Sequence, residues 1–113
     1  MSDTRKEAEK ILREHDKFSE EIKRKVSAIA LVEKSHVCYR TYYDGTIYLT
    51  MWRMSTHHVE HETIRMAESM GASCIILCCP AFERSYDLIN KTVRETMSTV
   101  GSYEFPKGDV SHD

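Results

Sequence analysis

The chain has 113 residues, enough for one hydrophobic core and too few for a substrate domain beside a cofactor domain. Its 16 basic and 18 acidic residues are intermixed and give a formal net charge of −2, which leaves no basic face for the phosphates of duplex DNA. No apolar run approaches the roughly 18 residues of a membrane span, and the start MSDTRKEAEK lacks the apolar stretch of a signal peptide, so a soluble, cytoplasmic chain without membrane contact is expected.

From Asp3 to about Val32 there is no Gly or Pro, and Ala8, Ile11, His15, Phe18, Ile22, Val26 and Ile29 recur three or four apart or at multiples of that spacing, which predicts one long amphipathic helix. Ser27 to Val32 loses the period, and an extra strand there is the alternative. Next come two runs rich in β-branched and aromatic residues, HVCYRTYY and TIYLTMWR, joined by Asp44-Gly45. This predicts a β-hairpin closed by a two-residue turn that pairs Tyr43 with Thr46, Thr41 with Tyr48, Tyr39 with Thr50 and Val37 with Trp52 on one face. Cys38, Arg40, Tyr42, Ile47, Leu49 and Met51 then share the other face.

Ser55 or Thr56 is expected to cap a second helix running to about Met70, with Gly71 ending it and Val59, Thr63, Met66, Ala67 and Met70 forming its buried stripe. Ala72 to Cys78 reads as a strand covered on both faces. Pro80 fits the first turn of a final helix, along which Phe82, Tyr86, Ile89, Val93, Met97 and Val100 step three or four apart. The expected fold class is α+β: an N-terminal long helix, a β-hairpin, a β-α-β crossover and a C-terminal helix, forming a small helix-covered sheet of three or four strands. Residues 1–100 would be the single domain and 101–113 a flexible tail.

Three groups of residues carry candidate chemistry. The run Cys78-Cys79-Pro80-Ala81-Phe82-Glu83-Arg84-Ser85 has the spacing Cys, five residues, Arg, Ser, and resembles the phosphate-binding loop of cysteine-dependent tyrosine phosphatases and of some arsenate reductases. That resemblance implies Cys78 as nucleophile and Arg84 as phosphate clamp. Against it, the loop has no glycine, Pro80 removes an amide donor and Glu83 sets a negative charge where a dianion would sit. His57-His58-Val59-Glu60-His61 is similar to the zinc motif of inverted-motif metallopeptidases and of the S-ribosylhomocysteine-cleaving lyase, with His57 and His61 able to chelate from one helix face. A helical wheel turns both histidines to solvent, so no metal is expected there and a His-based metal-binding regulator stays an alternative.

The hairpin supplies the third group: Tyr39, Arg40, Tyr43, Tyr48, Trp52 and Arg53, interleaved with threonines. Aromatic side chains on a strand face stack on bases, and they are also the residues most favoured in protein interfaces. The face reads either as core under the first helix, as an interface that includes self-association, or as a site for a nucleotide or single-stranded RNA. The favoured function is a small non-enzymatic binding protein acting as a homodimer, taking a macromolecular partner or small ligand on its aromatic sheet face. The alternative is a thiol-dependent phosphatase or reductase using Cys78 and Arg84. No cofactor is expected, and the four cysteines are expected to be thiols.

Overall fold

A computed structural model describes residues 2–96 and 103–106. The chain runs α1 (Ser2–Glu33), β1 (His36–Thr41), β2 (Ile47–Trp52), α2 (His61–Ser69), β3 (Ala72–Cys78), β4 (Glu83–Asp87) and β5 (Thr92–Glu95). The fold is α+β, and its strands form one five-stranded sheet in the order β1-β2-β3-β4-β5. β2 and β3 are parallel through the α2 crossover, and every other neighbouring pair is antiparallel. Among the described residues no helix is long and apolar enough to cross a membrane.

α1 is continuous through Ser27 to Val32, so the apolar run there is helix and not strand. It ends where Lys34 enters the left-handed region at φ 53, with the Ser35 amide bonded back to the Ala30 carbonyl at 3.3 Å. Ile22, Val26 and Ile29 on α1 and Ile64 and Ala67 on α2 close over Val37, Leu49, Met51, Ile75, Leu77 and Tyr86 of the sheet, all buried. Each such aliphatic side chain contributes about 1.5–3 kcal/mol of burial.

The hairpin forms, but its register differs by one residue from the expected pairing. Thr41 faces Ile47, Tyr39 faces Leu49 and Val37 faces Met51. The cause is the turn. The Gly45 amide donates to the Tyr42 carbonyl and the Tyr42 amide to the Thr46 carbonyl, both at 2.9 Å, so the loop holds three residues, Tyr43, Asp44 and Gly45. Gly45 takes φ 87 and Asp44 Oδ1 accepts the Thr46 amide at 3.0 Å. A three-residue loop with glycine at the left-handed position replaces the two-residue turn. Because side chains alternate along a strand, a slip of one exchanges core and solvent faces.

The expected C-terminal helix is not there. Residues 83–95 form β4 and β5, which takes the sheet beyond the three or four strands expected, while 97–100 lie outside the described residues. Cys79 and Phe82 exchange backbone hydrogen bonds at 2.9 and 3.3 Å, placing Pro80 and Ala81 in a tight hairpin turn. A proline's fixed φ suits the second position of a turn as well as the first turn of a helix. Arg84, Tyr86 and Leu88 are buried with the two-residue period of a strand, and a charged residue at a buried strand position is what the apolar pattern conceals. Asp87 Oδ1 accepts the amides of Ile89 and Asn90 at 3.0 Å, and Lys91 at φ 58 completes the second hairpin. Of the expected tail, 101, 102 and 107–113 lie outside the described residues, whereas Tyr103 and Phe105 are half-buried against the core.

α2 begins at His61, later than the expected cap at Ser55 or Thr56, because residues 53–60 form a loop whose backbone is tied down from both sides. Gly71, at φ 83, follows the helix as expected.

Candidate binding face

Strand alternation and register sort the sheet into two unlike faces. The helix-covered face carries the core. The other face carries His36, Cys38 and Arg40 from β1, Tyr48, Thr50 and Trp52 from β2, and Cys74, Ile76 and Cys78 from β3. It continues with Glu83, Ser85 and Asp87 from β4 and Thr92 and Arg94 from β5. A bulge at Ser73, where Ile47 pairs with Ala72 but Tyr48 with Cys74, sets this phase by leaving Ala72, Ile75 and Leu77 on the covered side. Among the described residues no helix packs on the second face, and its β2 and β3 side chains are half-buried by their own neighbours, with Trp52 45% exposed.

The six residues singled out in the hairpin are thereby separated. Arg40, Tyr48 and Trp52 share the open face, Tyr39 is half-buried on the covered side, and Tyr43 stands in the turn, fully exposed. Arg53 turns away from the open face and donates to Glu33 at 2.5 Å. On the open face Trp52 lies 5.5 Å from the His36 ring, and Tyr48 meets Tyr42 edge-on at 5.3 Å. A cleft of about 410 Å³ between the ends of β2 and β3 is lined by Trp52, Arg53, Met54, Cys78, Cys79 and Pro80. A second, more polar cleft of about 370 Å³ lies toward β5, lined by Tyr48, Cys74, Ser85, Asp87 and Arg94.

Cys78 and Arg84 do not form one site. Cys78 pairs with Glu83 on the open face, while Arg84 pairs with Leu77 on the covered face, and the helix N-terminus that would activate a thiolate is replaced by the turn at Pro80. Burial, followed by the carboxylate of Glu83, pushes the Cys78 thiol above its ordinary pKa, and burial raises Cys74 to about 11. Both shifts work against a nucleophilic thiolate. His57 and His61 likewise lack the helical i, i+4 relation, since His57 lies in the loop with Ser55 Oγ 2.8 Å from its Nδ1, and only His61 is on α2. Among the described residues no group of three or more His, Cys, Asp or Glu is placed to hold a metal ion.

The most connected polar groups form a network on the covered face that sequence reading missed. The buried Glu33 carboxylate accepts from Arg53, from the Glu60 amide at 2.9 Å and from the Thr63 hydroxyl, and so serves the N-terminus of α2, where Glu60 makes no side-chain cap. On the other side of the loop Arg84 pairs with Glu95 at 2.6 Å and donates to the carbonyls of Thr56 and His57 at 3.3 and 3.4 Å. The Tyr86 hydroxyl accepts from the Val59 amide at 3.1 Å and from Arg84 at 3.2 Å. Its single proton is left for His58 Nδ1, 2.8 Å away, which makes that nitrogen an acceptor and the imidazole neutral. Burial, then the charge of Arg84, lowers the His58 pKa in the same sense. Tyr103 donates to the Val59 carbonyl at 3.3 Å, stacks 4.8 Å from His58 and has its own pKa raised by burial to about 12. Burial pulls the Arg84 pKa down, but its bonds to Glu95 and Tyr86 outweigh that and leave it raised. The sequence signal for Glu33 was a carboxylate four residues beyond Ile29, on the stripe that α1 buries.

No protein-family model matches the chain, and no curated protein or solved structure matches it.

Proposed function

We propose that the chain is a small non-enzymatic binding protein that acts as a homodimer and takes a protein partner on the open face of its sheet. One observation carries the reading: Tyr48, Thr50, Trp52, Cys74, Ile76 and Cys78 form a contiguous, partly buried patch that no described helix covers, while the opposite face of β2, β3 and β4 is packed in the core. Tyr and Trp are enriched where interfaces hold most of their binding energy. Arg40 and Arg94 balance Glu83 and Asp87 on the same face, so charge does not select a phosphate-bearing ligand, and the aromatic and aliphatic character of the patch favours a protein over the nucleotide or single-stranded RNA of the sequence reading. The separation of Cys78 from Arg84 and the raised pKa of Cys78 support a binding role over thiol catalysis.

The test compares the wild type with Trp52→Ala and Ile76→Glu as immobilised baits. A partner retained by the wild type and lost by both variants, with the circular dichroism of all three alike, is the expected result. Turnover of an aryl phosphate abolished by Cys78→Ser would contradict the proposal.

A further inference from the structure

The two halves of α1 carry the same kind of stripe in opposite circumstances. In the second half Ile22, Val26 and Ile29 are 3%, 7% and 0% exposed against the sheet and α2. In the first half Ile11, Leu12 and Phe18 are 62%, 63% and 51% exposed. Helix propensity alone leaves an isolated stretch of this length marginal in water, because most helical stability comes from packing an apolar face. An arm of about 28 Å, residues 3–21 at 1.5 Å each, therefore extends from the domain with its apolar side unmatched among the described residues.

We propose that the occupant of this arm is the same arm of a second copy of the chain, and that this pairing is where the homodimer read above forms, leaving the open sheet face free for its partner. The inference rests on the dimer part of that reading. Ala8, Ile11, His15 and Phe18 fall on one 3,4-spaced heptad seam that runs on into the buried Ile22, the spacing that keeps one side of a helix against another helix. Charge favours a copy laid antiparallel. Residues 3–13 hold four cations (Arg5, Lys6, Lys10, Arg13) and three anions (Asp3, Glu7, Glu9), a net of +1. Residues 14–21 hold one cation (Lys17) and four anions (Glu14, Asp16, Glu20, Glu21), a net of −3. Antiparallel overlap sets the positive segment of each arm against the negative segment of the other, whereas parallel overlap stacks the two negative segments.

The area is sufficient for a reversible dimer. Ala8, Ile11, Leu12 and Phe18 expose roughly 400 Å² per copy, to which the stems of flanking Lys and Arg add. The total of about 800–1,000 Å² is below that of standard interfaces and in the range of weak, reversible ones.

Sedimentation velocity of the full chain across the micromolar range tests this, with Phe18→Glu, Phe18→Leu and Ile76→Glu run beside it. Expected are a wild-type dimer, association weakened about tenfold or more by Phe18→Glu, and near-wild-type behaviour of Phe18→Leu and Ile76→Glu. Ile11→Glu on the same seam repeats the test should Phe18→Glu fold poorly. A monomeric wild type overturns the inference while leaving partner binding by the sheet intact. A dimer that survives Phe18→Glu and Ile11→Glu, or is lost only in Ile76→Glu, also overturns it and moves the dimer contact to the sheet face.

Discussion

The two faces of the sheet solve the burial of polar groups in different ways. On the covered face charged side chains are taken out of water in pairs, Glu33 with Arg53 and Arg84 with Glu95, and part of their remaining hydrogen-bonding capacity is directed at the backbone of residues 53–60 and part at the hydroxyls of Thr63 and Tyr86. On the open face Arg40, Glu83 and Arg94 are exposed, and the apolar side chains among them are shielded only by each other. A buried ion pair adds little net stability over an apolar replacement, yet removing one member is costly because the other stays behind as an unpaired charge. Sensitivity to substitution should therefore be concentrated on the covered face and sensitivity of binding on the open one.

The largest expected effect is at Glu33. Glu33→Ala strands Arg53, whose side chain is 11% exposed, and frees the N-terminus of α2, so chemical denaturation should show a loss of about 3 kcal/mol. A loss under about 0.5 kcal/mol, the size of an ordinary surface substitution, would mean the carboxylate is not the anchor of the loop. Tyr86→Phe keeps the ring and removes the hydroxyl that serves Val59, Arg84 and His58, so a loss of about 1–3 kcal/mol is expected. Its partner readout is a faster exchange of the Val59 amide.

The pH dependence follows from His58. Its folded pKa is lowered, so the unfolded chain binds its proton more readily, and stability present above the unfolded value of about 6.5 is lost as pH falls through the folded value. Melting temperature measured from pH 7 down to about 5 should drop more steeply for the wild type than for His58→Asn. Equal slopes would show that His58 is not held neutral by Tyr86. The smallest effect on stability is expected on the open face, where Thr50→Ser should change the unfolding free energy by about 0.5 kcal/mol or less. A loss above about 2 kcal/mol there would mean that the face is core after all.

The elements that the sequence made legible are those marked by an apolar period over most of their length or by a short apolar run between a glycine and a proline. α1, both strands of the first hairpin, the β2-α2-β3 crossover and the ends at Gly45 and Gly71 all belong to this class. The second hairpin did not, because Arg84 sits where a strand pattern calls for an apolar residue and Phe82, Tyr86, Ile89 and Val93 happen to fall at helical spacing. The start of α2 was hidden for a related reason. Ser55 and Thr56 look like caps, but the contacts that fix the loop come from Glu33 and Arg84, about 20 to 30 residues away in the chain. For the candidate face, residue type was readable and register was not: one extra loop residue at the hairpin turn moved Tyr39 to the covered side and left Tyr48 and Trp52 on the open one.

Ile75 and Ile76 are adjacent in β3 and face opposite ways, the first fully buried and the second half-buried on the candidate face. Methyl NMR of the full chain with a soluble paramagnetic relaxation agent compares the two directly. If the face around Trp52 is open for a partner, the Ile76 methyl is strongly broadened and the Ile75 methyl is spared. Equal protection of both methyls would show that the face is already covered in the free protein and would contradict its role as the binding surface.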